Sequence, residues 1–212
     1  MRITSSIDSE LCDFLRIKGF KQRGNVFLRI HGDGVLQCIF SEKTPRTKFS
    51  ENFTEISKPV SVSIRSIFEP NVFGDVRIYR GALTYPYSLS DFCSESDQVY
   101  SYYKLLSNCC VPTLDKVSTQ ASLYELIYRL DKTCYNEIRW YMEMLTIPSL
   151  MYLKEYSTAK KVCERVLSCN SNLSHVVQMY KLLLVADGNK IQNFLNQVRL
   201  NNLSTYQQLR FR

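Results

Sequence analysis

The first hydrophobic pattern in the chain is helical. Ile7, Leu11, Phe14 and Leu15 recur every three or four positions, so residues 7–18 are expected to form an amphipathic helix, with Ser6 or Asp8 available as a cap. Gly19 follows, where a left-handed residue would end the helix and let Phe20 fold back onto it. After a loop the period changes. Residues 26–30 and 35–40 read as two strands joined by the turn His31-Gly32-Asp33-Gly34. Residues 41–57 are polar and contain Pro45, so a long connection is expected there, with an irregular edge strand around 49–56. Residues 60–67 alternate as a half-solvated strand does, 71–75 form a turn, and 76–80 alternate again. Short turns between consecutive strands favour an antiparallel meander of four or five strands. One face needs a cover, which the first helix can supply.

The character changes near Thr84-Tyr85-Pro86-Tyr87, and everything beyond reads as helical. Ser90 or Asp91 can cap a helix reaching about Ser107, and Pro112 suits the first turn of another. Apolar stripes follow at Leu123, Leu126, Ile127 and Leu130, and then at Ile138, Tyr141, Met142 and Leu145. Pro148 is expected to restart the chain into Leu150, Met151 and Leu153. Further stripes run from Ala159 to Leu167 and from Val176 to Leu184, the latter stopped by Asp187-Gly188. The last comprises Ile191, Phe194, Leu195 and Val198. No fixed repeat period is visible, although residues 159–167 hint at one helical hairpin. The expected architecture is therefore α+β. Residues 1–85 form a helix packed on an antiparallel β-meander, and residues 86–212 form an all-helical bundle of about six helices packed on the sheet.

One stretch carries a family resemblance. Gly19, Phe20, Lys21, Arg23, Gly24, Asn25, Phe27 and Arg29, then Asp33, Val35 and Gln37, follow a helix in a set order. In this order the segment resembles the bacterial family labelled domain of unknown function 4304. The match is closest over residues 11–43 and looser to residue 85. Where that family ends the strand in a Gln-Lys-Ser-like patch, this chain has Ser41-Glu42-Lys43, so no site is carried over there. The family has no established catalytic residues, and the resemblance implies none.

Composition narrows the chemistry. The net charge is +7, but residues 1–85 hold 13 Lys and Arg against 9 acids and residues 86–212 hold 14 against 11, so neither part is strongly basic. Arg16, Lys18, Lys21, Arg23 and Arg29 do form an acid-free run between Asp13 and Asp33. Such a run can steer an acidic protein or a nucleic acid, or can simply be solvated with its stems over the core. The eight cysteines lack a C-x-x-C pair, and only two histidines, His31 and His175, are present. No secretory h-region follows Met1, and no apolar run reaches membrane-spanning length, so a cytoplasmic chain with reduced, mostly packed thiols is expected.

Metal spacing is missing, neither histidine sits in a nucleophile signature, and Gly32-x-Gly34 opens a strand rather than a phosphate-binding helix. No catalytic residue, metal ligand or cofactor is assigned, and an enzyme is the less favoured class. A hydrolase with an unrecognised site ranks third. The leading expectation is a non-enzymatic cytoplasmic bacterial module that binds another protein, of an immunity-like or regulatory kind. Its tyrosines, Tyr100, Tyr102, Tyr103, Tyr124, Tyr128, Tyr135 and Tyr141, would supply part of the contact. The alternative is a nucleic-acid-associated protein with a basic N-terminal surface. Lys18, Lys21, Arg23, Phe27 and Arg29 are the candidate contact residues for either partner.

Overall fold

The computed structural model describes residues 6–24, 26–41, 60–70, 72–73, 87–88, 105–131 and 139–209. Helix α1, Ser6–Ile17, ends as the sequence suggests. The Gly19 N–H donates to Arg16 O at 2.9 Å and the Phe20 N–H to Leu15 O at 3.0 Å, the two bonds of a Schellman cap, with Gly19 at φ +82°. Phe20 and Leu15 are both buried in the core.

The sheet runs in sequence order. Strands β1 (Lys21–Arg23), β2 (Val26–His31), β3 (Val35–Ser41) and β4 (Val60–Ser66) form an antiparallel meander, and the two-residue β5 (Tyr87–Ser88) pairs with β4. Two expectations are corrected here. Residues 21–23 form a short edge strand rather than a loop, because Lys21 to Arg23 pair with Leu28 to Val26. Tyr87–Ser88 belongs to the sheet, two residues past the expected boundary at 85. The expected strand at 76–80, the irregular strand around 49–56 and most of the helix from 90 to 107 lie outside the described residues. The described end of that helix, Leu105–Cys110, is a π-helical turn.

The strand register separates two faces. Phe27, Arg29, Val35, Gln37, Ile39, Val62, Ile64 and Ser66 share one; Leu28, Leu36 and Cys38 share the other. All of these are buried. The sheet is thus covered on both sides in its middle. That is why Val26 to Arg29 are buried without alternation, contrary to a half-solvated strand.

Helices follow: α2 (Val111–Lys116), α3 (Gln120–Asp131), α4 (Arg139–Tyr152), α5 (Tyr156–Cys169), α6 (Ser174–Val185) and α7 (Gly188–Gln208). Pro112 opens α2 as expected. From α4 to α6 each helix packs on its predecessor, and α3 and α4 also touch β4. Pro148 does not restart the chain; it sits inside a continuous α4. Its neighbours Ile147, Leu150 and Met151 are buried, and that packing holds the helix through a residue with no N–H to give. Nor does Asp187-Gly188 stop α6. The stop is Ala186 in the left-handed conformation, and Asp187 instead caps α7 by accepting from the Asn189 and Lys190 N–H groups.

The turn after α4 makes a second Schellman cap, Lys154 N–H to Met151 O at 3.1 Å and Glu155 N–H to Leu150 O at 2.9 Å, with a lysine at φ +64° where glycine is preferred. Lys154→Gly is therefore expected to stabilise the fold by about 0.5–1 kcal/mol, the relief of left-handed strain less the added chain entropy of glycine. A thermal melt should rise by roughly 2 °C. A lower midpoint would show that the lysine side chain, exposed in this fold, contributes more than its backbone costs.

Candidate functional site

The five residues singled out as partner contacts do not form one surface. Arg29 is 6% exposed and Phe27 5%. The expectation that these two meet a partner is corrected: the sheet face that carries them is covered. Arg29 is an internal fastener. Its Nε donates to Gln37 Oε1 at 2.6 Å, Nη1 to the Lys18 carbonyl at 2.7 Å and Nη2 to Asp115 Oδ1 at 2.6 Å, while the guanidinium lies 4.4 Å from the Phe20 ring centre. Three acceptors arranged around one planar fork suit arginine and no other side chain. Lys18 is exposed and also reaches Asp115, at 3.2 Å. Lys21 lies 5.3 Å from the Tyr206 ring centre. Of the five, Lys18, Lys21 and Arg23 remain open to solvent at least in part. A nucleic-acid surface here would lack the stacking ring and one of its cations.

The same network joins the sheet to α2. Gln37, fully buried, donates from Nε2 to the carbonyls of Leu114 at 2.8 Å and Val117 at 3.1 Å, capping the end of α2 from the sheet. His31 Nε2 lies 3.1 Å from the Asp115 carbonyl. The Asp33 N–H donates to Ser118 O at 2.6 Å. Buried Gln120 accepts from the Ser66 and Ser149 hydroxyls at 2.7 and 2.9 Å, tying β4 and α4 to the start of α3. These polar groups are paired with one another, so they specify packing rather than present chemistry.

Several further titratable groups are also held inside. Burial pushes the Cys38 and Cys163 thiols up to about 12, so neither supplies a thiolate. Arg65 forms a buried ion pair with Glu69; burial lowers its pKa, and the Glu69 charge and hydrogen bonds more than restore it. His175 sits 3.3 Å from the Met144 sulfur, and burial lowers its pKa. Among the described residues no group of three His, Cys, Asp or Glu is placed to hold a metal ion.

A cavity of about 750 Å³ lies where α3 and α5 flank α4. Tyr124, Ile127 and Tyr128 of α3 form one wall. Thr158, Val162, Arg165 and Cys169 of α5, a stripe at helical spacing, form the other. Trp140, Glu143 and Thr146 of α4 also line it. The Tyr124 and Tyr128 rings stack at 6.2 Å, and Trp140 meets Tyr141 edge-on at 6.0 Å. Tyr128 is 53% exposed, whereas Ile127 and Val162 are buried. Arg165 Nε donates to Glu143 Oε2 at 3.1 Å.

Of the residues here, the sequence singles out Tyr124, Tyr128 and Tyr141 but not Trp140 or Arg165. The signal available was the chain's single tryptophan, one residue before a helical apolar stripe, and the 158/162/165/169 spacing on α5. Tyr100, Tyr102, Tyr103 and Tyr135 lie outside the described residues. No helix among the described residues is long and apolar enough to cross a membrane. No family model, curated protein or solved structure matches the chain.

Proposed function

We propose that this chain is a non-enzymatic binding module for another protein, of an immunity-like or regulatory kind, working in a bacterial cytoplasm, and that the cavity flanked by α3 and α5 is its contact surface. One observation carries the reading. Tyrosine, tryptophan and arginine, the residue types that dominate binding energy at protein interfaces, occur together as Tyr124, Tyr128, Trp140 and Arg165 around one open cavity. Rigid rings with a solvent-exposed edge contribute contact area at small entropic cost. The likeness of residues 11–85 to the domain of unknown function 4304 family belongs to this proposal as kinship of the N-terminal part and carries no residue role.

Affinity capture from the source cells tests the reading, with the wild-type chain and a Tyr128→Glu chain of native circular dichroism run in parallel. A stoichiometric protein retained by the wild type and lost by the variant is the expected result. Capture that does not change between the two chains removes the cavity from the contact.

A further inference from the structure

We propose that the cavity beside α4 recognises a carboxylate, the side chain of an acidic residue flanked by apolar residues in an exposed segment of the partner; this rests on the protein-binding reading above. The argument starts from hydrogen-bond capacity. Trp140 Nε1–H and the two Nη groups of Arg165 have no hydrogen-bond partner among the described residues. Both side chains can only donate. The Tyr124 and Thr158 hydroxyls, on opposite walls, are likewise without a partner among those residues. Glu143 takes Arg165 Nε, and the Thr146 and Ser168 hydroxyls donate back to the Glu143 and Arg165 carbonyls of their own helices. The Trp140 N–H and the Arg165 fork can only donate, so a group that satisfies them must be an acceptor.

The charge is set by the same pair. Arg165 is 56% exposed and bonds Glu143 through Nε alone, so its terminal fork remains to grip two oxygens of one carboxylate. The Glu143 carboxylate, 18% exposed, lies beside that fork and opposes a dianion such as a phosphate more than a single carboxylate. Ile127, Val162 and the aromatic rings give the stem of the incoming residue and its neighbours an apolar bed. The lining stripe on α5 spans roughly 16 Å at the helical rise, the length of about five extended residues.

Trp140 is the only tryptophan in the chain, so its fluorescence reports occupancy without a label. The probes are the acetylated, amidated peptide Leu-Phe-Glu-Leu, its Gln counterpart and its phosphoserine counterpart. The Glu peptide is expected to give a saturable change, with the Gln peptide and the phosphoserine peptide at least about tenfold weaker. Arg165→Gln should erase the preference for Glu. Glu143→Gln, which frees the rest of the guanidinium, should strengthen the Glu peptide. Opposite signs at two partly exposed positions separate recognition from loss of fold. Equal affinity for Glu and Gln peptides, tighter binding of the phosphoserine peptide, no saturable change at millimolar peptide, or a preference untouched by Arg165→Gln would overturn the inference. A partner captured equally by wild type and Arg165→Gln but lost by Tyr128→Glu would sink the carboxylate and leave the protein-binding reading standing.

Discussion

Replacing Arg29 with alanine is expected to remove about 3–5 kcal/mol of stability, although sequence alone places this arginine in a solvated basic run. The loss has three parts. Asp115 loses its closest cation, the Gln37 carbonyl oxygen is left buried without its donor, and the Lys18 carbonyl loses its partner across the end of α1. Gln37 is fully buried, so water cannot take the place of the guanidinium. Chemical denaturation followed by circular dichroism measures the effect, and a thermal midpoint should fall by roughly 10 °C. Arg29→Lys should fail to rescue, because one ammonium cannot address three acceptors spread around a planar fork. Removing Gln37 as well should add less than its separate cost, since both side chains serve one network. A loss under about 1 kcal/mol would mean that solvent reaches this junction.

Acid gives a second readout of the same junction. Burial raises the Asp115 pKa, but hydrogen bonds and charge from Arg29 and Lys18 outweigh burial, and the net value lies below the ordinary 3.8. A carboxyl with a depressed folded-state pKa contributes stability above its unfolded pKa, and that contribution is lost as pH falls through the folded value. The wild type should therefore lose this share below about pH 4, and Arg29→Ala should show a flatter acid limb.

Gly32→Ala is the second large effect, with an expected cost of about 3 kcal/mol or more. Gly32 has φ +52°, and a Cβ there would collide with the Ser118 carbonyl oxygen. That oxygen belongs to the backbone between α2 and α3 and already accepts from Asp33 N–H, so it cannot swing aside as a flexible side chain would. Gly24 is the control, with φ +62° and nothing within 4 Å of its Cβ. Alanine there should cost only the backbone strain, about 1–2 kcal/mol. Equal losses at the two positions would show that the hairpin tip does not press on the α2–α3 turn; a markedly larger loss at Gly32 measures that contact.

These two residues show where sequence reading stops. The run from Gly19 to Gln37, apart from the edge strand at 21–23, is legible as helix end, turn and paired strands because each of those rests on local rules: helical spacing, a left-handed cap and glycines at a turn. That the turn glycine is pinned against Ser118, 86 residues downstream, leaves no local trace. Arg29 likewise looks like any other cation in its run until Asp115 and Gln37 are brought beside it. Pro148 reads as a break because the helix penalty of proline is local, whereas the packing that overrides it comes from other elements. The cavity was half visible. Tyr124 and Tyr128 belong to a cluster visible in the sequence, but only the packing of α3 and α5 against α4 joins them to Trp140 and Arg165.

The sequence by itself determined most of the described helices and strands and the α+β division, because period and capping residues act over a few neighbours. Only the tertiary structure decided which charges are buried fasteners and which face water. That depends on desolvation and on partners 77 or more residues away, such as Arg29 with Asp115 and Gln37 with Leu114 and Val117, and nothing in the local order of residues encodes it.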